Sequence, residues 1–223
     1  MKKYIPNLVT MLNLVFGMFS ILSTLDGNYD CAVWCIVLAM IADGMDGRVA
    51  RYLNESSELG KELDSLCDLV SFGVAPAVLA YSFQLNEYGF LGYLVAAFFA
   101  ACGAFRLARF NVNTDVVKGF FMGVPIPAGG CVLAAFVYMG VHLEAWMFIL
   151  LVMLFGYLMV STVKYPDFKG KGKDGTFGKV PAVIAGLVGL YIFITYSNSL
   201  LFVIFFTYIL FGLLNLAFGL VRR

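Results

Sequence analysis

Eight apolar segments, most of them roughly 20 residues long, recur along the chain of 223 residues. A helix needs about 20 apolar residues to cross a bilayer core of about 30 Å. Mean hydropathy is +0.89 and only 13% of residues are charged, unlike a soluble domain. The segments lack the alternation of barrel strands, so we predict an all-α membrane helix bundle. They lie near residues 6–24, 30–52, 65–83, 89–110, 121–141, 144–163, 181–196 and 198–220.

The basic residues indicate how the bundle is oriented. With eight helices and the N-terminus inside, the outer loops are "LDGNYD", "QLNEYG", "GVHLEA" and "YSNS", which contain no lysine or arginine. All 15 basic residues then lie on the opposite side of the membrane, which the positive-inside rule assigns to the cytoplasm. We predict a multi-pass protein of the cell membrane with both termini cytoplasmic. No linker separates soluble domains, so residues 1–223 form one membrane domain.

One short stretch, "ADGMDGRVARYLNESSELGKELDSLCD" (residues 42–68), concentrates ten charged residues in this apolar chain. Asp43 and Asp46 are three residues apart, and Asp64 and Asp68 are four apart, so each pair shares one face of a helix. The turn between the two helices is short enough to bring them back antiparallel. The four carboxylates are therefore predicted to converge on one pocket that faces the cytoplasm.

Four close carboxylates repel one another unless a cation lies between them. An all-oxygen ligand set favours Mg²⁺ or Mn²⁺, ions that usually act with substrate phosphates. Gly44, Gly47 and Gly60 would let a phosphate-bearing group approach the backbone, and Ala50 would do so less completely. The alternative is that these charges only cap and solvate a helical hairpin. It does not explain Asp43 and Asp68, which adjoin apolar sequence.

The charged stretch resembles the signature of the CDP-alcohol phosphotransferase family, and the resemblance extends to about residue 180. Its positions are Asp43, Asp46, Gly47, Ala50, Arg51, Gly60, Asp64 and Asp68. The resemblance implies a metal-dependent membrane enzyme that moves a phosphatidyl-type group from a CDP-linked donor to an alcohol and releases CMP. It further implies two divalent ions held by the four aspartates, Asp68 as the base, and a homodimer. Residues 1–180 would form the shared core, and residues 181–223 would add transmembrane helices.

The first helix carries a polar stripe in which Asn7, Thr10 and Asn13 recur every three residues, with Gly17 four residues further on. In the resembling family this helix borders the nucleotide, so the stripe is expected to contact cytosine and ribose. Ordinary packing between helices is the alternative. Arg51 is expected to contact phosphate, unless it is a snorkelling interfacial arginine. The residues expected to bind CDP are Asn7, Thr10, Asn13, Gly47, Ala50, Arg51 and Gly60.

The acceptor alcohol is indicated by sequence outside the signature. "PNLVTMLNLVFG", "GAFRLARFNV", "FMGVPIPAGG" and "VKYPDFK" resemble segments of the CDP-diacylglycerol–serine O-phosphatidyltransferase branch. Arg106 and Arg109 suit a carboxylate or phosphate through forked hydrogen bonds, and Lys164 and Tyr165 could close over the acceptor. We therefore predict L-serine as acceptor and phosphatidylserine as product. The arginines could instead be topology anchors, and Tyr165 an interfacial aromatic.

Two other functions remain open at this point. A phosphorylated acceptor, such as glycerol 3-phosphate or an inositol phosphate, would also attract two arginines. Intramembrane aspartates also occur in ion and metal transporters. Against transport, the acidic residues cluster at one end of the bundle and the two halves show no inverted repeat. No nucleic-acid partner is expected.

Overall fold

A computed structural model describes residues 5–53, 57–112, 120–166, 179–196 and 198–221. These residues form eight helices, so the predicted all-α membrane bundle is confirmed. The helices are α1 (Ile5–Leu25), α2 (Tyr29–Leu53), α3 (Glu58–Phe83), α4 (Phe90–Val112), α5 (Ile126–Tyr138), α6 (Ala145–Val160), α7 (Lys179–Thr195) and α8 (Leu200–Val221). Helix α3 contains a π-helical turn, Leu69–Val74, and a 3₁₀ turn, Leu85–Tyr88, follows it.

Four of the described helices are long and apolar enough to cross a membrane: α1, α3, α4 and α8. Helices α5, α6 and α7 are apolar but shorter. Helix α2 has 25 residues, but charged residues interrupt its second half. The chain is therefore a multi-pass membrane protein. Its charged signature lies on the second half of α2, which is partly charged, and on the start of α3.

Helix α5 lies at the centre of the bundle and is buried along almost its whole length. Two glycines allow its neighbours to approach closely. A Cβ atom at Gly130 would lie 2.5 Å from the backbone oxygen of Phe72 in α3, and one at Gly129 would lie 2.9 Å from the Met159 sulfur in α6. Since real Cβ atoms do not come so close to other heavy atoms, glycine at these positions is what lets α3 and α6 pack against α5.

The π-helical turn of α3 begins immediately after Asp68 and packs against α1. The Ser71 hydroxyl donates a hydrogen bond of 2.9 Å to the backbone oxygen of Asn13. Gly17 faces the same serine and has no room for a Cβ atom. π-helical turns inside α-helices are frequent at functional sites, and this one fixes the backbone next to the last aspartate of the signature.

Two strands of three residues each, β1 (Phe120–Met122) and β2 (Lys164–Pro166), pair antiparallel. The sequence did not predict them. The fifth apolar segment, expected from about residue 121, begins as a helix only at Ile126, because β1 and Pro125 precede it. Gly123 has a φ of 75°, and its N–H donates to the Val163 oxygen at 2.8 Å. This turn brings the chain after α4 and the chain after α6 together.

Candidate active site

Carboxylate oxygens of Asp43, Asp64 and Asp68 all lie within 4.8 Å of one another. Asp43 comes from α2, and the other two come from α3, so the hairpin between these helices builds the cluster. Ser57 caps the start of α3 by accepting a hydrogen bond of 3.0 Å from the N–H of Gly60. A compact set of carboxylate oxygens fits a hard divalent cation, and these three residues could hold one.

The remaining aspartate of the signature, Asp46, adjoins this cluster. Its carboxylate is within hydrogen-bonding distance of the Asp64 side chain, and its Oδ2 accepts a hydrogen bond of 2.8 Å from the Thr10 hydroxyl of α1. The N–H of Gly47 also contacts the Asp46 carboxylate. Asp46 is only 7% exposed, so the hydrogen bonds from Thr10 and Gly47 replace part of the hydration that its carboxylate loses on burial.

Asp68 is oriented by a single amide from the first helix. The Asn13 Nδ2 donates to Asp68 Oδ1 at 2.9 Å, and the two residues are 0% and 7% exposed. Buried carboxylates that accept hydrogen bonds from fixed donors have a defined direction in space. Asn13 therefore determines where the remaining oxygen of Asp68 points.

The polar stripe of α1 faces the two signature helices. A Cβ atom at Gly60 would lie 3.2 Å from Asn7 Oδ1, so Asn7 adjoins the first turn of α3. The stripe was predicted to contact the nucleotide or to pack between helices, and the hydrogen bonds from Thr10 and Asn13 to the aspartates were not predicted. The hydrogen-bonding side chains of the stripe, three residues apart on an otherwise apolar helix, were the signal that could have suggested them. The assignment of Asn7, Thr10 and Asn13 to CDP stays a prediction.

Arg106 lies next to the aspartate cluster. It is 7% exposed, and Asp68 lies within electrostatic range of its guanidinium. Its Cζ lies 5.8 Å from the centroid of the Phe110 ring. Among the residues that the structure describes, its Nε has no hydrogen-bond partner. Buried polar groups are normally paired, so an arginine of this kind suits an anionic ligand.

Arg109, one turn further along α4, has different surroundings from Arg106. Its guanidinium donates to four backbone oxygens: Val160 at 2.7 Å, Met122 and Ser161 at 3.1 Å, and Met159 at 3.4 Å. These bonds join α4 to the end of α6 and to β1. They give Arg109 a structural role, whereas its predicted contact with the acceptor stays a prediction.

The other predicted site residues are placed less completely. Ala50 and Arg51 belong to the last turns of α2, and Lys164 belongs to β2, but their side chains lie outside the part that the structure describes. Tyr165 is 0% exposed and packs against α8, with its ring centroid 5.5 Å from that of Tyr208. Burial raises the pKa of the Tyr165 phenol, so this hydroxyl stays protonated near neutral pH and can donate a hydrogen bond.

Comparison with known proteins agrees with the chemistry of the cluster. The family described as CDP-alcohol phosphatidyltransferase matches residues 3–163. A CDP-diacylglycerol–serine O-phosphatidyltransferase of Bacillus subtilis is 43% identical over 168 residues, 74% of this chain and 92% of that protein. The protein of that name from Helicobacter pylori is 41% identical over 172 residues, 74% of this chain and 72% of its own length. An archaetidylserine synthase of Methanothermobacter thermautotrophicus is 37% identical over 170 residues, 75% of this chain and 72% of that protein.

Proposed function

Since this chain belongs to the CDP-alcohol phosphatidyltransferase family, we propose that it transfers the phosphatidyl group of CDP-diacylglycerol to the hydroxyl of L-serine. The products are phosphatidylserine and CMP. The names of the relatives support serine as the acceptor. The single observation in the structure that carries the proposal is the buried Arg106 beside the cluster of Asp43, Asp64 and Asp68.

The family assignment confirms the predicted resemblance and the prediction of an enzyme. The family assignment replaces the alternative prediction of a transporter, for which the sequence already offered little support. For an enzyme of this family, glycerol 3-phosphate and inositol phosphates remain the alternative acceptors to serine. They differ from serine in presenting a phosphate to Arg106 where serine presents a carboxylate.

In the proposed reaction the serine hydroxyl attacks the lipid-bearing phosphorus of the donor. A bond forms between the serine oxygen and that phosphorus, and the bond from the phosphorus to the CMP oxygen breaks. Asp68 accepts the hydroxyl proton, and Asn13 holds the Asp68 carboxylate in place. Arg106 binds the carboxylate of serine, so that the hydroxyl is directed towards Asp68.

The aspartates serve the diphosphate of the donor. We propose two divalent ions, Mg²⁺ or Mn²⁺, with Asp43, Asp46, Asp64 and Asp68 as their ligands. Ions held there would neutralise the charge of the diphosphate and of the departing CMP. Asn7, Thr10, Asn13, Gly47, Ala50, Arg51 and Gly60 are proposed to form the CDP site.

The arrangement of the protein in the cell is also a proposal. We propose a homodimer in the cell membrane, with both termini and the active site on the cytoplasmic side. The support for this orientation is the absence of lysine and arginine from the four predicted outer loops. Water-soluble serine and CMP would then enter and leave from the cytoplasm, and the lipid donor and product would stay in the bilayer.

The reaction is tested with purified protein, CDP-diacylglycerol and either Mg²⁺ or Mn²⁺. Serine, glycerol 3-phosphate and inositol phosphates are supplied separately, and CMP and the lipid product are measured. We expect metal-dependent CMP release with serine and formation of phosphatidylserine. Turnover with a different alcohol and none with serine would refute the acceptor. The absence of CMP with every acceptor, in folded protein, would refute the reaction itself.

The role of Asp68 is tested with Asp68→Asn. We expect turnover to fall below detection, while binding of CDP-diacylglycerol is largely retained, because the amide keeps the shape but cannot accept the proton. Glu62→Gln is the matched control, since Glu62 is an exposed acid on the same helix and should not affect turnover. Lost donor binding with retained turnover would contradict the assignment of Asp68 as base.

A further inference from the structure

The family match ends at residue 163, yet the chain continues through β2, α7 and α8. Helix α8 does not simply lie at the edge of the bundle. It packs against α5 in the core through Phe202, whose ring lies 5.8 Å from that of Phe136. It also contacts β2, the strand that carries Tyr165. These contacts place one face of α8 beside the segment that the sequence analysis assigned to the acceptor.

Tyr165 contacts α8 in two ways, through a neighbouring aromatic ring and through a glycine that leaves room for its own ring. Its ring lies beside that of Tyr208 and directly over Gly212, where a Cβ atom would overlap the ring carbons. Glycine at position 212 is therefore a condition for Tyr165 to occupy its buried position. The hydroxyl of Tyr165 is buried and has no hydrogen-bond partner among the described residues.

Tyr208 connects this packing to the active site. Its hydroxyl lies within electrostatic range of the Arg106 guanidinium, as Asp68 does, so Arg106 is near both the proposed base and α8. Arg106 is more than nine-tenths buried, and its Nε has no acceptor among the described residues. Arg106 and Tyr165 are thus two buried side chains from different elements, each with a donor that has no acceptor among the described residues. Tyr208 packs against the ring of Tyr165 and interacts electrostatically with Arg106.

We propose that α8 completes the acceptor pocket, with Tyr208 as a specificity-determining residue that binds the carboxylate of the amino-acid acceptor together with Arg106. This inference rests on the proposed function. A carboxylate has two oxygens, so it can accept hydrogen bonds from a guanidinium and from a phenol at the same time. An analogue that lacks the carboxylate should bind less well, because the Arg106 Nε, which has no partner among the described residues, is then left unsatisfied. Gly212 acts indirectly, by allowing Tyr165 to pack beneath Tyr208.

The test compares Tyr208→Phe and Gly212→Ala with the wild-type protein in steady-state kinetics, with serine and CDP-diacylglycerol varied in turn. Tyr208→Phe keeps the ring and removes only the hydroxyl. We expect the apparent KM for serine to rise about tenfold or more, the size of one hydrogen bond to a charged group, while the KM for the donor stays the same. Gly212→Ala should raise the KM for serine in the same way.

Gly186→Ala is the matched control, because a Cβ atom at this glycine of α7 meets nothing within 4 Å. It should leave both KM values unchanged. The second readout is specificity: the ratio of kcat/KM for serine to that for serinamide, which lacks the carboxylate, should fall in Tyr208→Phe. Thermal unfolding in detergent shows whether each variant is folded, and Tyr208→Phe gives the decisive comparison if Gly212→Ala is not.

Serine turnover with an unchanged KM and an unchanged serinamide ratio in Tyr208→Phe would overturn the role of Tyr208 and leave the proposed function intact. A rise in the donor KM alone would place α8 at the nucleotide side and likewise overturn it. If the wild-type protein uses glycerol 3-phosphate and not serine, both the proposed function and the carboxylate assignment fail.

Discussion

The hydrogen bond from Asn13 to Asp68 leads to a prediction that separates two roles for the first helix. Asn13→Ala removes the amide that donates to Asp68 Oδ1 at 2.9 Å, but it keeps the backbone oxygen that accepts from Ser71. Both side chains are buried, so water does not readily replace the lost donor. A hydrogen bond to a charged group contributes about 1.5–3 kcal/mol.

If that bond orients the base, its loss appears in the chemical step. At about 1.4 kcal/mol for each factor of ten, kcat should fall roughly 10- to 100-fold. The KM for CDP-diacylglycerol should change less than kcat, because the other proposed ligands of the metal ions and the other residues of the proposed CDP site are unchanged. The assay is CMP release at varied donor and at saturating serine and metal ion.

Ser20→Ala is the control for this prediction. Ser20 is a buried polar residue of the same helix, two turns beyond Asn13, and its hydroxyl has no partner among the described residues. The variant should keep the wild-type kcat. A rise in donor KM at constant kcat in Asn13→Ala would refute the positioning role and favour contact with the nucleotide, as the sequence analysis predicted for the stripe.

Three further predictions follow from the packing and the charges. Gly130→Ala should lower the free energy of unfolding by about 1–3 kcal/mol, because the new methyl group meets the Phe72 backbone, and thermal unfolding should show no such loss for Gly186→Ala. Arg109→Lys should lower the unfolding temperature more than Arg106→Lys does, since lysine cannot reproduce the hydrogen bonds of Arg109 to four backbone oxygens. Arg106→Lys should instead raise the KM for serine more than Arg109→Lys does. Removing divalent cations with a chelator should abolish CMP release, and adding Mg²⁺ or Mn²⁺ should restore it; release in the presence of excess chelator would contradict a metal-dependent site.

The spacing of the aspartates was the most informative part of the sequence. Residues three or four apart on a helix share a face whatever surrounds them, and a short turn leaves an antiparallel hairpin as the simplest arrangement. The structure accordingly brings Asp43 of α2 close to Asp64 and Asp68 of α3. Helix content was equally accessible, because a membrane core admits few alternatives to helices for apolar segments of this length.

Long-range contacts were not accessible in the same way. Strands β1 and β2 have three residues each and pair across more than 40 residues of sequence, so neither contains the alternation by which a strand is recognised. Arg106 and Arg109 looked equivalent at a spacing of three. Their different surroundings come from the end of α6 and from β1, whose backbone oxygens accept hydrogen bonds from Arg109.

The backbone just after Asp68 is where packing and catalysis are most closely connected. Gly17 and the Asn13 backbone of α1 contact Ser71 of the π-helical turn, and Gly130 of α5 contacts Phe72 of the same turn. A side chain on either glycine would push the turn in a direction that Asp68, the residue before it, must follow. Because a displacement of about 1 Å in a reacting group can cost a factor of 100 in rate, these glycines belong to the active site although neither has a functional group. The position of the proposed base therefore depends in part on two glycines outside the charged signature, whose lack of a side chain leaves room for the turn that follows Asp68.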